Sequence, residues 1–170
     1  MTKRRAFLAG ALGIGIAARF PMDALSAQSI LTWGDLIPGG GPAATPDSVS
    51  VHDEQGLPIW NAANNAPAPT RAELDGQKIS IRGYHVPIAF LPDQPEKIAA
   101  FILAPFVGAC IHVPPPPANQ IILGSYPEGM QLESRIWFEP VTVSGTMYVQ
   151  LVETSVAKVG YQMRAASIVF

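Results

Sequence analysis

Cysteine is almost absent from this sequence: Cys110 is the only one in 170 residues. That excludes an intramolecular disulfide and leaves the core, or a metal, to hold the fold. Charge is scarce too, at 14% of residues against 48% hydrophobic, which suits a core-forming globular chain. Beyond residue 27 the basic residues Arg71, Lys78, Arg82, Lys97, Arg135, Lys158 and Arg164 lie scattered. With no basic cluster, nucleic acid is a poor partner, because phosphate binding needs a positive footprint. Also missing are a Gly-x-Ser-x-Gly elbow, a P-loop and a dinucleotide fingerprint. The adjacent carboxylates Asp53 and Glu54 fall in a loop. These absences argue against an enzyme.

What is present begins with an export pattern. Lys3-Arg4-Arg5-Ala6-Phe7-Leu8 is basic, an apolar stretch of small residues runs from Ala9 to Ala18, and Ala24, Ser26 and Ala27 suit a processing site. The paired arginines resemble a twin-arginine signal; an ordinary secretory signal or an uncleaved anchor is the alternative. The apolar stretch is short and glycine-rich for a membrane span, so no stable span is expected once residues 1–27 are removed. The expected location is the periplasm.

Seventeen prolines and fifteen glycines favour many turns and short elements. Residues 28–76 read as an irregular N-terminal extension. Within it Trp33, Leu36 and Ile37 form an apolar hook, Leu57, Ile59 and Trp60 make a second touchdown, and Thr70 with Glu73 has capping-box spacing. From residue 77 the pattern changes to strands. Lys78 to Val86 alternates, with Ile79 and Ile81 inward and Pro87 as the stop; Ile98–Leu103 and Gln120–Leu123 are continuous apolar runs. Tyr126-Pro127-Glu128-Gly129 reads as a turn, Ile136 to Pro140 returns the chain, and Val141–Val149 and Tyr161–Ala165 alternate again, the latter leading to Ile168-Val169-Phe170. Ile79-x-Ile81-x-Gly83 and Val141-x-Val143-x-Gly145 each end on a glycine, as at a barrel corner. The fold expected for 77–170 is mainly β, a small, partly open OB-like barrel, with a β-sandwich as the alternative.

The chemistry concentrates in Gly108-Ala109-Cys110-Ile111-His112-Val113, followed by Pro114-Pro115-Pro116-Pro117 and Ala118-Asn119-Gln120. In extended backbone, residues two apart share a face, so Cys110 and His112 are expected to project together beside a solvated proline rod. Thiolate and imidazole are ligands for zinc or copper, and His85 is a third candidate by type. Equally, Cys110 reads as a small buried hydrophobe and His112 as a structural donor. His85, on the isoleucine face by parity, reads as a core residue or as one turned into a site by a bulge at Gly83. Nucleophilic catalysis by Cys110 is disfavoured by its separation from His112.

Gly83-Tyr84-x-Val86-Pro87, the apolar run into Pro105, and Gly108-Ala109-Cys110-Ile111-His112-Val113-Pro114-Pro115-Pro116-Pro117-x-Asn119-Gln120 resemble the signature of an exported bacterial family. It is known as domain-of-unknown-function family 3299. Trp33-x-Asp35-Leu36-x-Pro38 and Leu74-Asp75-Gly76 extend the likeness over nearly the whole segment after residue 27. The family pattern carries methionine at the position of His85, which leaves Cys110 and His112 as the transferable pair. The resemblance implies an accessory periplasmic role beside an envelope metal-transport or ABC-type transport system. Two functions follow as expectations: binding or delivery of zinc or copper through Cys110, His112 and His85, or a metal-free interaction module. In the second, Pro114, Pro115, Pro116, Pro117, Asn119 and Gln120 dock on an envelope transporter or another envelope protein.

Overall fold

A computed structural model describes residues 28–57, 59–131 and 139–170. The expected export segment, residues 1–27, lies outside them, as does most of the expected return stretch Ile136-Trp137-Phe138. The described residues form six strands: β1 (Ser29–Leu31), β2 (Lys78–Leu91), β3 (Gln94–Ala104), β4 (Ile122–Gln131), β5 (Val141–Glu153) and β6 (Lys158–Val169). Two single-turn helices, α1 (Pro46–Val49) and α2 (Ala62–Asn65), lie in the extension.

Five of the strands close on themselves in the order β2-β3-β4-β6-β5 and back to β2, with β4 and β6 parallel and the other pairs antiparallel. This is a mainly β, partly open barrel of the OB type. Its long first strand makes closure possible. Lys78–Gly83 pairs with β5, and Tyr84 onward pairs with β3. The division falls at Gly83, where an added Cβ would stand 2.6 Å from Trp33 Cζ2 and 2.8 Å from the Ala104 carbonyl. Gly145, at a register shift between β5 and β6, is held as closely by the Arg164 carbonyl. Both glycines therefore sit where strands are pressed together.

Pro87 does not end β2. The strand continues to Leu91 through register shifts and turns back at Pro92-Asp93, so the loop expected around residues 91–96 is only a tight hairpin. Tyr126–Gly129 is likewise no free turn. It is a bulge inside β4, between the pairs Ala100–Ser125 and Ile98–Met130, and Gly129 takes a φ of +74° there.

Two cores result. The barrel interior holds Ile79, Ile81, Phe101, Leu103, Val143, Met147, Tyr161 and Met163, sealed by Trp33 and Leu36 from the extension. A second core lies between the extension and the outside of β2 and β3. It gathers Ala44 and Val49, the barrel residues Val86, Ile102 and Ala104, and Phe106, Ala109, Cys110 and Ile121. The expected hook is real: Trp33 and Leu36 are buried, Ile37 partly so. The second touchdown is not where the sequence suggested. Leu57, Ile59 and Trp60 are exposed, and Val49 and Asn64 are the buried residues of that region. The Thr70–Glu73 capping box does not form either, because Glu73 pairs with Arg71 at 2.7 Å; Thr32 and Asp35 make such a contact instead.

Candidate functional site

Between β3 and β4 the chain makes a closed loop, and it is not extended. Gly108 (φ +80°) and Cys110 (φ +66°) both adopt left-handed backbone. The Gly108 carbonyl accepts from the N–H groups of Ile111, His112 and Val113, and the Cys110 N–H donates to the Val113 carbonyl. The two-apart rule for extended chain therefore fails at this point. Cys110 turns inward, 8% exposed among Ala109, Phe106 and Ile121, while Ile111 and His112 face solvent. Desolvation pushes the Cys110 thiol up to about 12, so it is a protonated core group at neutral pH.

The prolines are not a solvated rod. Pro114, Pro115 and Pro116 are buried and Pro117 half-buried. Proline offers no N–H, so such a run can be buried without stranding donors. Its carbonyls remain acceptors, and the Pro116 oxygen receives the Asn64 side chain at 2.9 Å. Asn119 and Gln120, also buried, reach the extension: Asn119 Nδ2 donates to the Pro69 carbonyl at 2.8 Å, Gln120 Oε1 accepts from Ala44 N–H, and Gln120 Nε2 donates to the Pro42 carbonyl at 3.3 Å. The side chains marked out in the sequence for docking thus fasten the chain's own extension to the barrel.

Two residues that sequence reasoning passed over complete this seam. Asn64, expected in a linker, also donates to the Lys158 carbonyl and accepts from the Lys158 N–H at 2.8 Å. Tyr161 donates its hydroxyl proton to the Leu36 carbonyl and accepts from the Arg71 N–H, both at 2.7 Å. An alternating strand gives no sign of such a hydroxyl, and an Asn-rich stretch reads as loop.

His85 sits elsewhere. It pairs across strands with Leu103 and shares that residue's inward face, inside the barrel. It is 3% exposed, and neither ring nitrogen has a hydrogen-bond partner among the described residues. Burial lowers its pKa. His52, in the extension, is exposed. Cys110, His112 and His85 are not brought into one ligand set: among the described residues no three His, Cys, Asp or Glu side chains converge as metal ligands. Nor is any described helix long and apolar enough to cross a membrane.

The family model described as a protein of unknown function, DUF3299, matches residues 33–169. No curated protein matches. A crystal structure of a DUF3299 family protein from Pseudomonas aeruginosa PAO1 is similar to the chain, at 35% sequence identity and a TM-score of 0.67. The likeness covers 84% of this chain and 95% of that one.

Proposed function

The chain belongs to the DUF3299 family of proteins of unknown function, and from that premise we propose that it is an exported, non-catalytic interaction module of the periplasm. Its docking feature is the tip of the Gly108–Val113 loop. One observation carries the reading: the loop is locked by four backbone hydrogen bonds, buries its only thiol, and still holds Val107 and Ile111 at 40% and 43% exposure. A pre-ordered loop that keeps apolar side chains in water loses little entropy on binding, as good interface anchors do. The partner expected is an envelope protein, such as a component of an ABC-type transporter.

A second reading, zinc or copper handling, draws on His112, whose imidazole is exposed two residues from Cys110. It requires the loop to open and the thiol to ionise, against the direction in which burial drives it.

One experiment separates the two. A photo-crosslinking residue is placed at Ile111, and at Leu151 on β5 as control, and the cells are irradiated. A discrete adduct at 111 and not at 151, lost when Val107→Asp is added, is the expected result. Zinc and copper titrations of the purified parent, Cys110→Ser and His112→Ala run alongside. Stoichiometric metal uptake abolished by both substitutions, with no adduct, overturns the docking reading in favour of metal handling.

A further inference from the structure

The register of the barrel assembles a surface that is invisible along the sequence. On the outside, Lys78 of β2 lies beside Thr146 of β5, Thr146 beside Arg164 of β6, and Arg164 beside Ser125 of β4. Two residues along the same ladder, Tyr148 lies beside Gln162. Two shallow grooves adjoin at the Thr146–Arg164 pair. One, of about 320 Å³, is walled by Tyr148, Gln162, Arg164 and Ser125; the other, of about 240 Å³, by Lys78, Ser144, Thr146 and Ser167. The paired stretches 78–83, 141–148 and 161–169 contain no carboxylate. The one ion pair among the described residues is Arg71–Glu73, so neither Lys78 nor Arg164 is neutralised by a neighbour there.

We propose that this face binds an acidic saccharide, a hydroxyl-rich chain carrying carboxylates. The Tyr148 ring, 44% exposed, offers an apolar plate for the C–H face of a sugar. The Thr146 and Ser167 hydroxyls, which make no side-chain hydrogen bond among the described residues, match sugar hydroxyls in both donor and acceptor roles. Gln162, whose Nε2 donates to Gln150 Oε1 at 2.9 Å, keeps its own Oε1 as an acceptor. Arg164 and Lys78 take the carboxylates, Arg164 in bidentate fashion. A neutral glycan leaves both cations unused. Single-stranded nucleic acid calls for a series of stacking aromatics and a basic track, where this face has one tyrosine in a chain of net charge −2. OB-type barrels take oligosaccharides on the face of their second and third strands, here β3 and β4. These border this surface only along the larger groove, at Ala100 and Ser125 among others, so the placement rests on the groove itself and not on the fold.

The test is calorimetric titration of the folded protein, after export processing, with trigalacturonate, maltotriose and trithymidylate. Trigalacturonate is expected to bind saturably and more weakly as salt rises. Arg164→Gln and Lys78→Gln are each expected to weaken it by about tenfold, the loss of one charge-assisted hydrogen-bonded contact. Tyr148→Ala should weaken both sugars, and Trp60→Ala neither. Absence of saturable binding, trigalacturonate affinity unchanged in Arg164→Gln, or tighter binding of trithymidylate would each overturn the proposal. Because Ile111 belongs to a different surface, the crosslinking outcome stands or falls separately.

Discussion

His85 is, among the described residues, the buried side chain whose polar atoms find no partner. An imidazole carries one donor and one acceptor when neutral, and inside the barrel neither is used among the described residues. Each unsatisfied buried polar atom costs about 1–3 kcal/mol. The pH consequence has a definite sign. Burial holds the folded imidazole below its ordinary 6.5, so under mildly acidic conditions the unfolded chain binds the extra proton and the folded chain does not. Stability then falls as pH drops through about 6.5, levelling off once the folded pKa is reached. The carboxyls of Asp35 and Glu73, lowered by hydrogen bonds to Thr32 and Arg71, lose their contribution only at more acidic pH. Replacing His85 with methionine is therefore expected to raise the midpoint of urea unfolding at pH 6 and to flatten its slope between pH 7 and 5.5. An unchanged slope would mean that His85 is not the titrating group.

At the scale of elements, the unit that matters is the seam between extension and barrel. Asn64 bridges α2, the proline run and the start of β6 with three hydrogen bonds. Asn64→Ala strands the Lys158 N–H and is expected to cost about 1–3 kcal/mol. The loss should be local: limited proteolysis should cut first within residues 37–71, while amide exchange in β5 and β6 stays slow. Early cutting spread evenly over the barrel would show that the extension is no separate layer. The seam also marks where sequence reading stopped. Alternation at Ile79, Ile81, Val141 and Val143 sets inside from outside within one strand, and those residues are where the pattern puts them. Trp33 and Leu36 stand out as part of an apolar cluster in an otherwise irregular extension. Asn64, Asn119 and Gln120 do not stand out, because a buried amide and a solvated one look alike until the carbonyl it meets is known. Cys110 and His112 were misplaced for a related reason: nothing in Gly-Ala-Cys-Ile-His-Val shows that a cysteine takes a left-handed φ.

For the molecule as a whole, the decisive feature is that five strands form a ring, and the ring depends on close approach at a few points. Gly83 is one of them, held between Trp33 and the Ala104 carbonyl. Gly83→Ala is expected to destabilise by about 3 kcal/mol, the upper end for overpacking. It should also loosen the extension, since Trp33 is displaced while its indole N–H is donating to the Arg82 carbonyl at 2.8 Å. Thermal unfolding with tryptophan fluorescence would show an early phase; a single transition at the parental temperature would show that the corner tolerates a methyl. The corner glycines and the strand alternation made an OB-like barrel readable. The ring order was not readable, because which edges meet depends on contacts far apart in the chain.

That distance gives the hydrogen bond from Tyr161 to the Leu36 carbonyl, across 125 positions, a further meaning. A ribosome delivers Tyr161 long after Leu36. Until β6 has been made, Trp33 and Leu36 have no closed barrel to cover. The seat for Trp33 and Leu36 is completed by β6, so a chain truncated before β6 leaves these apolar residues unseated. Synthesis of β6 and concealment of Trp33 and Leu36 are thus one event.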